Sequence, residues 1–167
     1  MAELLEVREF WENDACTSPS AMFAKTNRPD WQVLWDEDNG FYGRSGPTAL
    51  APAITELTWE RFFDPIEPVH CLVAIDEDRV VGLAHYLYHR STTRKANVCY
   101  LQDLYTAGSL RGRGIGRKLI DAVAEAASHS GSSRVYWQTK VDNDTARALC
   151  DKVAEHTGFI VYIKELK

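Results

Sequence analysis

The pattern of apolar and polar positions predicts an ordered series of strands and helices in the first half of the chain. Leu4 to Phe10 has the character of a first strand, and helices are expected at about 30–38 and 55–63. Val69–Ile75 and Val80–His89 are strand-like and flank a short polar turn, which predicts a hairpin.

The second half alternates strand and helix. The run Val98 to Thr106 predicts a strand, Arg117 to His129 an amphipathic helix and Arg134 to Thr139 a short buried strand. A further helix is expected after Asn143, which can cap it, and a last strand over Ile160 to Lys164. Strands followed by a βαβα segment indicate an α/β (α+β) fold with a mixed sheet flanked by helices.

Two segments lack periodicity and are predicted to be loops. They are residues 11–29 and the stretch from Gly40 to Pro52, which is rich in Gly, Ser and Pro. With 167 residues and 45% apolar content, the whole chain, 1–167, is expected to form a single domain with a substantial core.

Charge and cysteine content narrow the function classes. A net charge of −5 argues against a broad nucleic-acid surface. No apolar stretch approaches membrane-spanning length, and the N-terminus does not resemble a signal peptide. The four cysteines show no C-x-x-C spacing. We therefore expect a cytoplasmic protein with reduced thiols that binds neither membrane nor nucleic acid.

The most informative stretch is rich in glycine and arginine and joins the Val98–Thr106 strand to the following helix. Glycines let backbone N–H groups approach an anion, and a helix N-terminus adds partial positive charge. A dinucleotide fingerprint fails because its sixth position is Arg117, and a Walker loop fails because Leu119 follows Lys118. What remains is Arg-x-x-Gly-x-Gly, from Arg111 to Gly116.

This motif resembles the coenzyme A pyrophosphate loop of the GNAT superfamily of N-acetyltransferases. Asn143-x-x-Ala-x-x-Leu-Cys150 and the later Gly158-Phe159 resemble the family's C-terminal signature, and Tyr100 to Thr106 resembles the preceding strand in spermidine/spermine N-acetyltransferases. Small histone- and polyamine-acetylating members have similar N-terminal helices. The resemblance runs from about residue 30 to the C-terminus and implies a mostly antiparallel sheet with splayed fourth and fifth strands. Against this pattern, 11–29 is an insertion.

The resemblance also implies where acetyl-CoA, the cosubstrate, binds. Backbone groups of the fourth strand would pair with pantetheine, and the loop would surround the pyrophosphate. The implied cofactor-binding residues are Leu104, Tyr105, Thr106, Arg111, Gly112, Arg113, Gly114, Ile115, Gly116, Arg117 and Asn143.

Acetylation of an amine requires loss of a proton, because an alkyl ammonium of pKa about 10.4 is almost fully protonated at neutral pH. Asp103 matches the aspartate of the Tyr-Leu-Glu-Asp motif in polyamine enzymes and is the implied acidic site residue. The alternative is a structural role, either capping a turn or pairing with an arginine. Gln102 replaces the glutamate of that motif, which leaves the base open. Alternation places Gln102 and Asp103 on opposite faces unless a bulge intervenes.

His85 and His89 share a strand face, but no third ligand has suitable spacing, so no metal is expected.

Cys150 stands where the family usually has a tyrosine that protonates the departing sulfur. A thiol can donate a proton, although it is shorter than a phenol and a weaker hydrogen-bond donor. The alternatives are that Cys150 acts through water, that the thiolate leaves unaided, or that the residue is structural.

These observations predict acetyl transfer from acetyl-CoA to a primary amine in a ternary complex. The acceptor is a polyamine, a lysine side chain or an amino acid. Resemblance to the polyamine- and histone-acetylating group also predicts a homodimer. Two alternatives stay open: a transferase for a longer acyl group, and a weakly catalytic or non-catalytic acyl-CoA sensor, which Gln102 and Cys150 would favour.

Overall fold

The computed structural model describes residues 6–9 and 28–166. Five strands and four α-helices are present in this part of the chain, together with short 3₁₀ turns at Gly46–Thr48 and Gly108–Leu110. In chain order the elements are β1 (Glu6–Glu9), α1 (Arg28–Phe41), α2 (Pro52–Arg61), β2 (Val69–Asp76), β3 (Arg79–His89), β4 (Val98–Thr106), α3 (Ile115–His129), β5 (Val135–Tyr136) and α4 (Asp144–Val153).

The strands form one sheet in the order β1-β2-β3-β4-β5. The first three pairings are antiparallel, and β4 pairs with β5 in parallel, so the predicted mixed sheet is confirmed. The hairpin between β2 and β3 turns at Glu77 and Asp78, whose φ angles are +48° and +61°. Positive φ at both positions of a two-residue loop matches the twist of the paired strands.

The core has two layers, one on each face of the sheet. In β2, Cys71 and Val73 pack beneath α1 and α2, whereas Leu72 and Ala74 pack beneath α3. This alternation follows the two-residue period of a strand and explains why β2 is apolar at nearly every position. Helices on both faces cover the middle of the sheet.

A glycine allows α3 to lie close to β3. A Cβ atom on Gly82 would come within 3.0 Å of Ile115 Cγ2 and 3.1 Å of the Tyr105 carbonyl oxygen. Ile115 and Leu119 fill that space and are almost completely buried. This packing fixes the start of α3 directly beside the end of β4.

The prediction of a last strand over Ile160 to Lys164 is wrong. Residues 154–166 follow α4 without regular secondary structure, and their apolar side chains are exposed, with Phe159 at 88% and Tyr162 at 85%. A strand needs a hydrogen-bonding neighbour, and the described part of this chain provides none for the segment. Most of the predicted loop at 11–29 lies outside the described residues, although Arg28 and Pro29 belong to α1. No helix in the described portion is long and apolar enough to cross a membrane.

Candidate functional site

The fourth and fifth strands separate after two residue pairs. Pairing is confined to Cys99 with Val135 and Tyr100 with Tyr136, whereas β4 continues to Thr106. On its other edge β4 remains paired with β3 as far as Thr106. From Leu101 onward, the edge of β4 that faces away from β3 therefore has no strand partner among the described residues. Backbone groups on such an edge can pair with an extended ligand.

Three residues predicted to contact pantetheine lie on this open part of β4. The side chains of Leu104 and Tyr105 pack into the layers on opposite faces of the sheet. Thr106 ends the strand, and its carbonyl oxygen accepts a hydrogen bond from Arg111 Nε at 3.2 Å. The side chains of Leu104 and Tyr105 are thus occupied by packing, so a ligand would meet their backbone.

The glycine-rich loop leaves open space at the start of α3. Gly112 and Gly114 have φ angles of +80° and +82°, which side chains disfavour. Gly114 is the N-cap residue of α3 and supplies no side-chain cap, so N–H groups of the first turn remain available. A Cβ atom on Gly112 or Gly114 would meet nothing within 4 Å. This geometry suits an anion at the helix N-terminus.

The three arginines of the loop are tethered at its edge. Arg111 lies over the Tyr105 ring at 5.2 Å, Arg113 forms an ion pair with Asp76 at 3.1 Å, and Arg117 approaches Asp121 at 3.8 Å. The side chains of Arg113 and Arg117 are more than half exposed, so their charge reaches solvent near the open loop. Ile115 differs from its neighbours because its side chain is in the core and only its backbone can contact a ligand.

Helix α4 is held against α3 by Gly116. A Cβ atom there would lie 3.2 Å from Leu149 Cδ2, so close packing depends on this glycine. Asn143 caps α4, and its Oδ1 accepts a hydrogen bond from the Ala146 N–H at 3.2 Å. The cap was predicted from the sequence and is confirmed. These contacts fix the position of Cys150 on α4.

Cys150 lies beside the point where β4 and β5 separate. Trp137, the first residue after β5, donates a hydrogen bond from Nε1 to Cys150 Sγ at 3.0 Å. An indole N–H can only donate, so the sulfur is the acceptor and its own proton is free for another partner. The role of Trp137 is not evident from the sequence, because a tryptophan in a buried strand normally indicates core packing.

A bulge brings Gln102 and Asp103 to one cavity. His85 pairs with Asp103 and the next residue of β3, Tyr86, pairs with Leu101, so Gln102 is an extra residue in β4. The cavity has a volume of about 210 Å³. It is lined by Trp35, Arg44, Leu50, Ile54, Thr58, Arg61, Phe62, Val69, His85, Tyr86, Leu87, Gln102 and Asp103.

His85 holds Asp103 from the protein interior. Trp31 Nε1 donates to His85 Nε2 at 2.9 Å, and His85 Nδ1 lies 3.1 Å from Asp103 Oδ2. Since the indole can only donate, Nε2 accepts, and the ring carries its proton on Nδ1, which is donated to Asp103. His89 instead binds Tyr136 and the Arg90 carbonyl, and no cluster of three potential metal ligands occurs within residues 6–9 and 28–166.

Asp38 is a buried carboxylate that sequence reasoning missed. It is 3% exposed, and its Oδ2 has no hydrogen-bond partner within the described ranges. Burial, and secondarily repulsion from Asp103, raises the pKa of Asp38 to about 7, while Arg44 opposes the shift. A signal was present: Trp31, Leu34 and Trp35 form the apolar stripe of α1, and Asp38 continues it.

Comparison with known proteins gives the family. The model of the acetyltransferase (GNAT) family matches residues 28–154. The D-amino-acid N-acetyltransferase HPA3 of Saccharomyces cerevisiae is 36% identical over 134 residues, which cover 79% of this chain and 81% of that enzyme. Thialysine N-epsilon-acetyltransferase of Mus musculus is 41% identical over 87 residues, 44% of this chain and 51% of the mouse enzyme, or about half its length.

Solved structures share the fold. The aminoglycoside acetyltransferase AAC(6')-Iy, in complex with a bisubstrate analogue of coenzyme A, superposes with a TM-score of 0.75 at 14% identity and covers 98% of this chain and 99% of its own. The aminoglycoside acetyltransferase meta-AAC0020 from a soil metagenomic sample, in complex with sisomicin, gives 0.73 at 19% identity and covers 98% and 97%. The chain belongs to the GNAT family and is an N-acetyltransferase.

Proposed function

We propose that the protein transfers the acetyl group of acetyl-CoA to the amine of an amino acid, by direct attack in a ternary complex. Pantetheine would pair with the open edge of β4, and the pyrophosphate would occupy the loop at Gly112 and Gly114, where there is free space. A β4 backbone N–H would stabilise the negative charge that develops on the thioester oxygen. The acetyl group would then lie close to where β4 and β5 separate.

The observation that carries the choice of acceptor is the mixed charge of the 210 Å³ cavity. Asp103 offers a carboxylate for an ammonium group, and Arg44 and Arg61 offer guanidinium groups for a carboxylate. The remaining wall is largely apolar and suits a side chain. Ligand pockets commonly have volumes of about 300–1,000 Å³, so this one favours a small acceptor. HPA3, whose name specifies D-amino acids, supports the same choice.

The test is release of free thiol from acetyl-CoA with D- and L-amino acids, thialysine, spermidine and a lysine peptide. Amino acids should give the highest kcat/KM. Arg44→Gln should raise KM for amino acids several-fold without changing KM for spermidine, which has no carboxylate. Arg79→Gln, at the exposed first residue of β3, is the matched control. A preference for spermidine would overturn the acceptor class, and absence of thiol release with every amine would favour the acyl-CoA sensor.

We also propose that the protein is a homodimer in which the apolar tail after α4 packs on a second copy. Ile160, Tyr162 and Ile163 are each more than 70% exposed, which is costly for side chains of this size. The outer edge of β5, with no strand paired to it among the described residues, offers the tail a place to add as a strand.

We also propose a reducing, cytoplasmic environment for the protein, which fits the free thiols of Cys71, Cys99 and Cys150.

A further inference from the structure

We propose that Asp38 receives the proton of the acceptor ammonium, which Asp103 holds at the cavity surface. This inference rests on the proposed amine acetylation and identifies a proton acceptor for it. Gln102, at the position of the glutamate in related motifs, has no acid–base capacity. Another group is therefore needed for this step, and Asp38 is a buried carboxylate that interacts electrostatically with Asp103.

One carboxylate oxygen of Asp38 is unsatisfied in the described ranges. Buried polar atoms nearly always have a hydrogen-bond partner, and an orphaned one calls for an explanation. Asp38 Oδ2 is buried and unpartnered in the described structure. A proton arriving on this carboxyl group neutralises its charge at a site where water does not stabilise it.

The charges around Asp38 and Asp103 favour transfer of a proton from a bound ammonium to Asp38. Asp38 interacts electrostatically with Asp103 and Arg44, both of which line the cavity, and Tyr42 is also near. His85 fixes Asp103 through the hydrogen bond from Nδ1, and its Nε2 accepts from Trp31, so both ring nitrogens are occupied and neither can take the proton of the amine. An ammonium ion bound at Asp103 would offset the repulsion between the two carboxylates and leave a charged Asp38 ready to accept a proton.

The proton affinity of Asp38 also suits this role. The pKa of Asp38 is raised to about 7 mainly by burial, which an ammonium at Asp103 does not remove, and secondarily by Asp103. An unperturbed aspartate has a pKa of about 3.9 and an alkyl ammonium about 10.4. The raised pKa of Asp38 therefore makes proton transfer from the ammonium less unfavourable by roughly three powers of ten. General bases work best when their pKa lies near the working pH.

One N–H bond of the ammonium breaks and an O–H bond forms at Asp38. The freed nitrogen lone pair attacks the thioester carbon, the C–S bond breaks, and its electron pair leaves with sulfur. A second proton leaves the nitrogen and one proton reaches the thiolate, which gives the amide and the free thiol. Asp38 then returns its proton to solvent.

The test compares pH profiles of kcat/KM for an amino acid in the parent, Asp38→Asn and the control Asp36→Asn. Asp36 lies on the same helix but is exposed, and its Oδ1 accepts a hydrogen bond from Gln32 Nε2 at 2.9 Å. At pH 7, Asp38→Asn should lower kcat by about 10²-fold or more, with acetyl-CoA affinity unchanged. Its rate should keep rising about tenfold per pH unit towards the pKa of the amine, whereas the parent rate levels off earlier.

A second readout separates proton transfer from a structural role. A hydrazide acceptor is already neutral at pH 7, so Asp38→Asn should acetylate it at nearly the parental rate. Asp38→Ser, smaller and also uncharged, gives the same comparison should the amide disturb folding. A parental pH profile in a folded variant, or an equal loss with amine and hydrazide, would overturn the proposal. No thiol release from the parent would overturn the amine acetylation on which it rests.

Discussion

His85 Nδ1 lies 3.1 Å from Asp103 Oδ2, and the other ring nitrogen accepts a hydrogen bond from Trp31. The carboxylate at the cavity is therefore fixed by a ring whose own orientation is set by the helix α1. The hydrogen bond from the buried His85 ring keeps Asp103 Oδ2 in place, while the rest of the carboxylate lines the cavity.

Asp103→Asn should weaken acceptor binding without affecting acetyl-CoA. The amide keeps an oxygen that can accept from His85, but it loses the charge that attracts an ammonium. We expect KM for a cationic amine to rise several-fold or more. Steady-state kinetics and calorimetric titration of acetyl-CoA measure the two effects separately. An unchanged amine KM would assign Asp103 a structural role.

Gly114→Glu should abolish most acetyl-CoA binding. The substitution places a side chain and a negative charge in the open space at the start of α3, where anionic oxygens are expected. The positive φ adds backbone strain of about 1–2 kcal/mol. Calorimetry should detect little or no acetyl-CoA binding, with the fold retained by circular dichroism.

Gly131→Glu is the matched control for this prediction. Gly131 has a φ of +79° and open space around it, but it follows the C-terminal end of α3. It carries the same strain and the same added charge, at the other end of the helix. Parental affinity in Gly114→Glu, or equal loss in both variants, would contradict the loop assignment.

Part of this site was predictable from the sequence because local patterns determine it. The strand from Val98 to Thr106 was predicted with its observed limits, and the Asn143 cap and the glycine-rich loop followed from residue types at fixed spacing. The bulge at Gln102 depends on register with β3, which no local pattern shows. Asp38 lay within a predicted helix, but its burial beside Asp103 depends on tertiary packing. The segment from Ile160 to Lys164 has the residue composition of a strand. Composition does not show whether a neighbouring strand is available to pair with it.

Asp38→Asn should stabilise the protein above neutral pH more than below it. A carboxyl group with a folded-state pKa of about 7 binds more protons in the folded than in the unfolded state between about pH 4 and 7, so the free energy of unfolding falls as pH rises through that window. The asparagine variant does not lose stability in this way, because its side chain does not titrate. The gain in melting temperature over the parent should therefore grow from pH 4 to pH 7 and then level off. A constant difference at all pH values would contradict the raised pKa.

The homodimer prediction is tested on the exposed tail. Light scattering should give about twice the mass of one 18.9 kDa chain. A variant carrying Ile160→Lys and Tyr162→Lys should dissociate, because charged side chains are disfavoured in a buried interface. Ile66 is 89% exposed and lies away from the tail in sequence, so Ile66→Lys is the control and should keep the parental mass. A parent with the mass of a single chain would refute the dimer.

Cys150 gives the sharpest test of how the coenzyme A thiolate is protonated. The hydrogen bond from Trp137 leaves the thiol proton free and would stabilise the thiolate that forms once it has been given up. If Cys150 is the general acid, Cys150→Ala should lower kcat by about 10²–10⁴-fold with acetyl-CoA affinity unchanged. An alanine variant with parental kcat would show that the thiolate leaves without help from Cys150.

Cys150→Tyr restores the residue usual in the family and tests whether the pocket has adapted to cysteine. Trp137 Nε1 is only 3.0 Å from the sulfur, so a phenol ring must displace the indole. Overpacking of this kind costs about 1–3 kcal/mol, and we expect a lower melting temperature in this variant. Trp137→Phe combined with Cys150→Tyr removes the indole N–H and some bulk, and should recover part of the lost stability. If Cys150→Tyr alone raises kcat without loss of stability, the pocket already accommodates the phenol and the contact with Trp137 does not limit it.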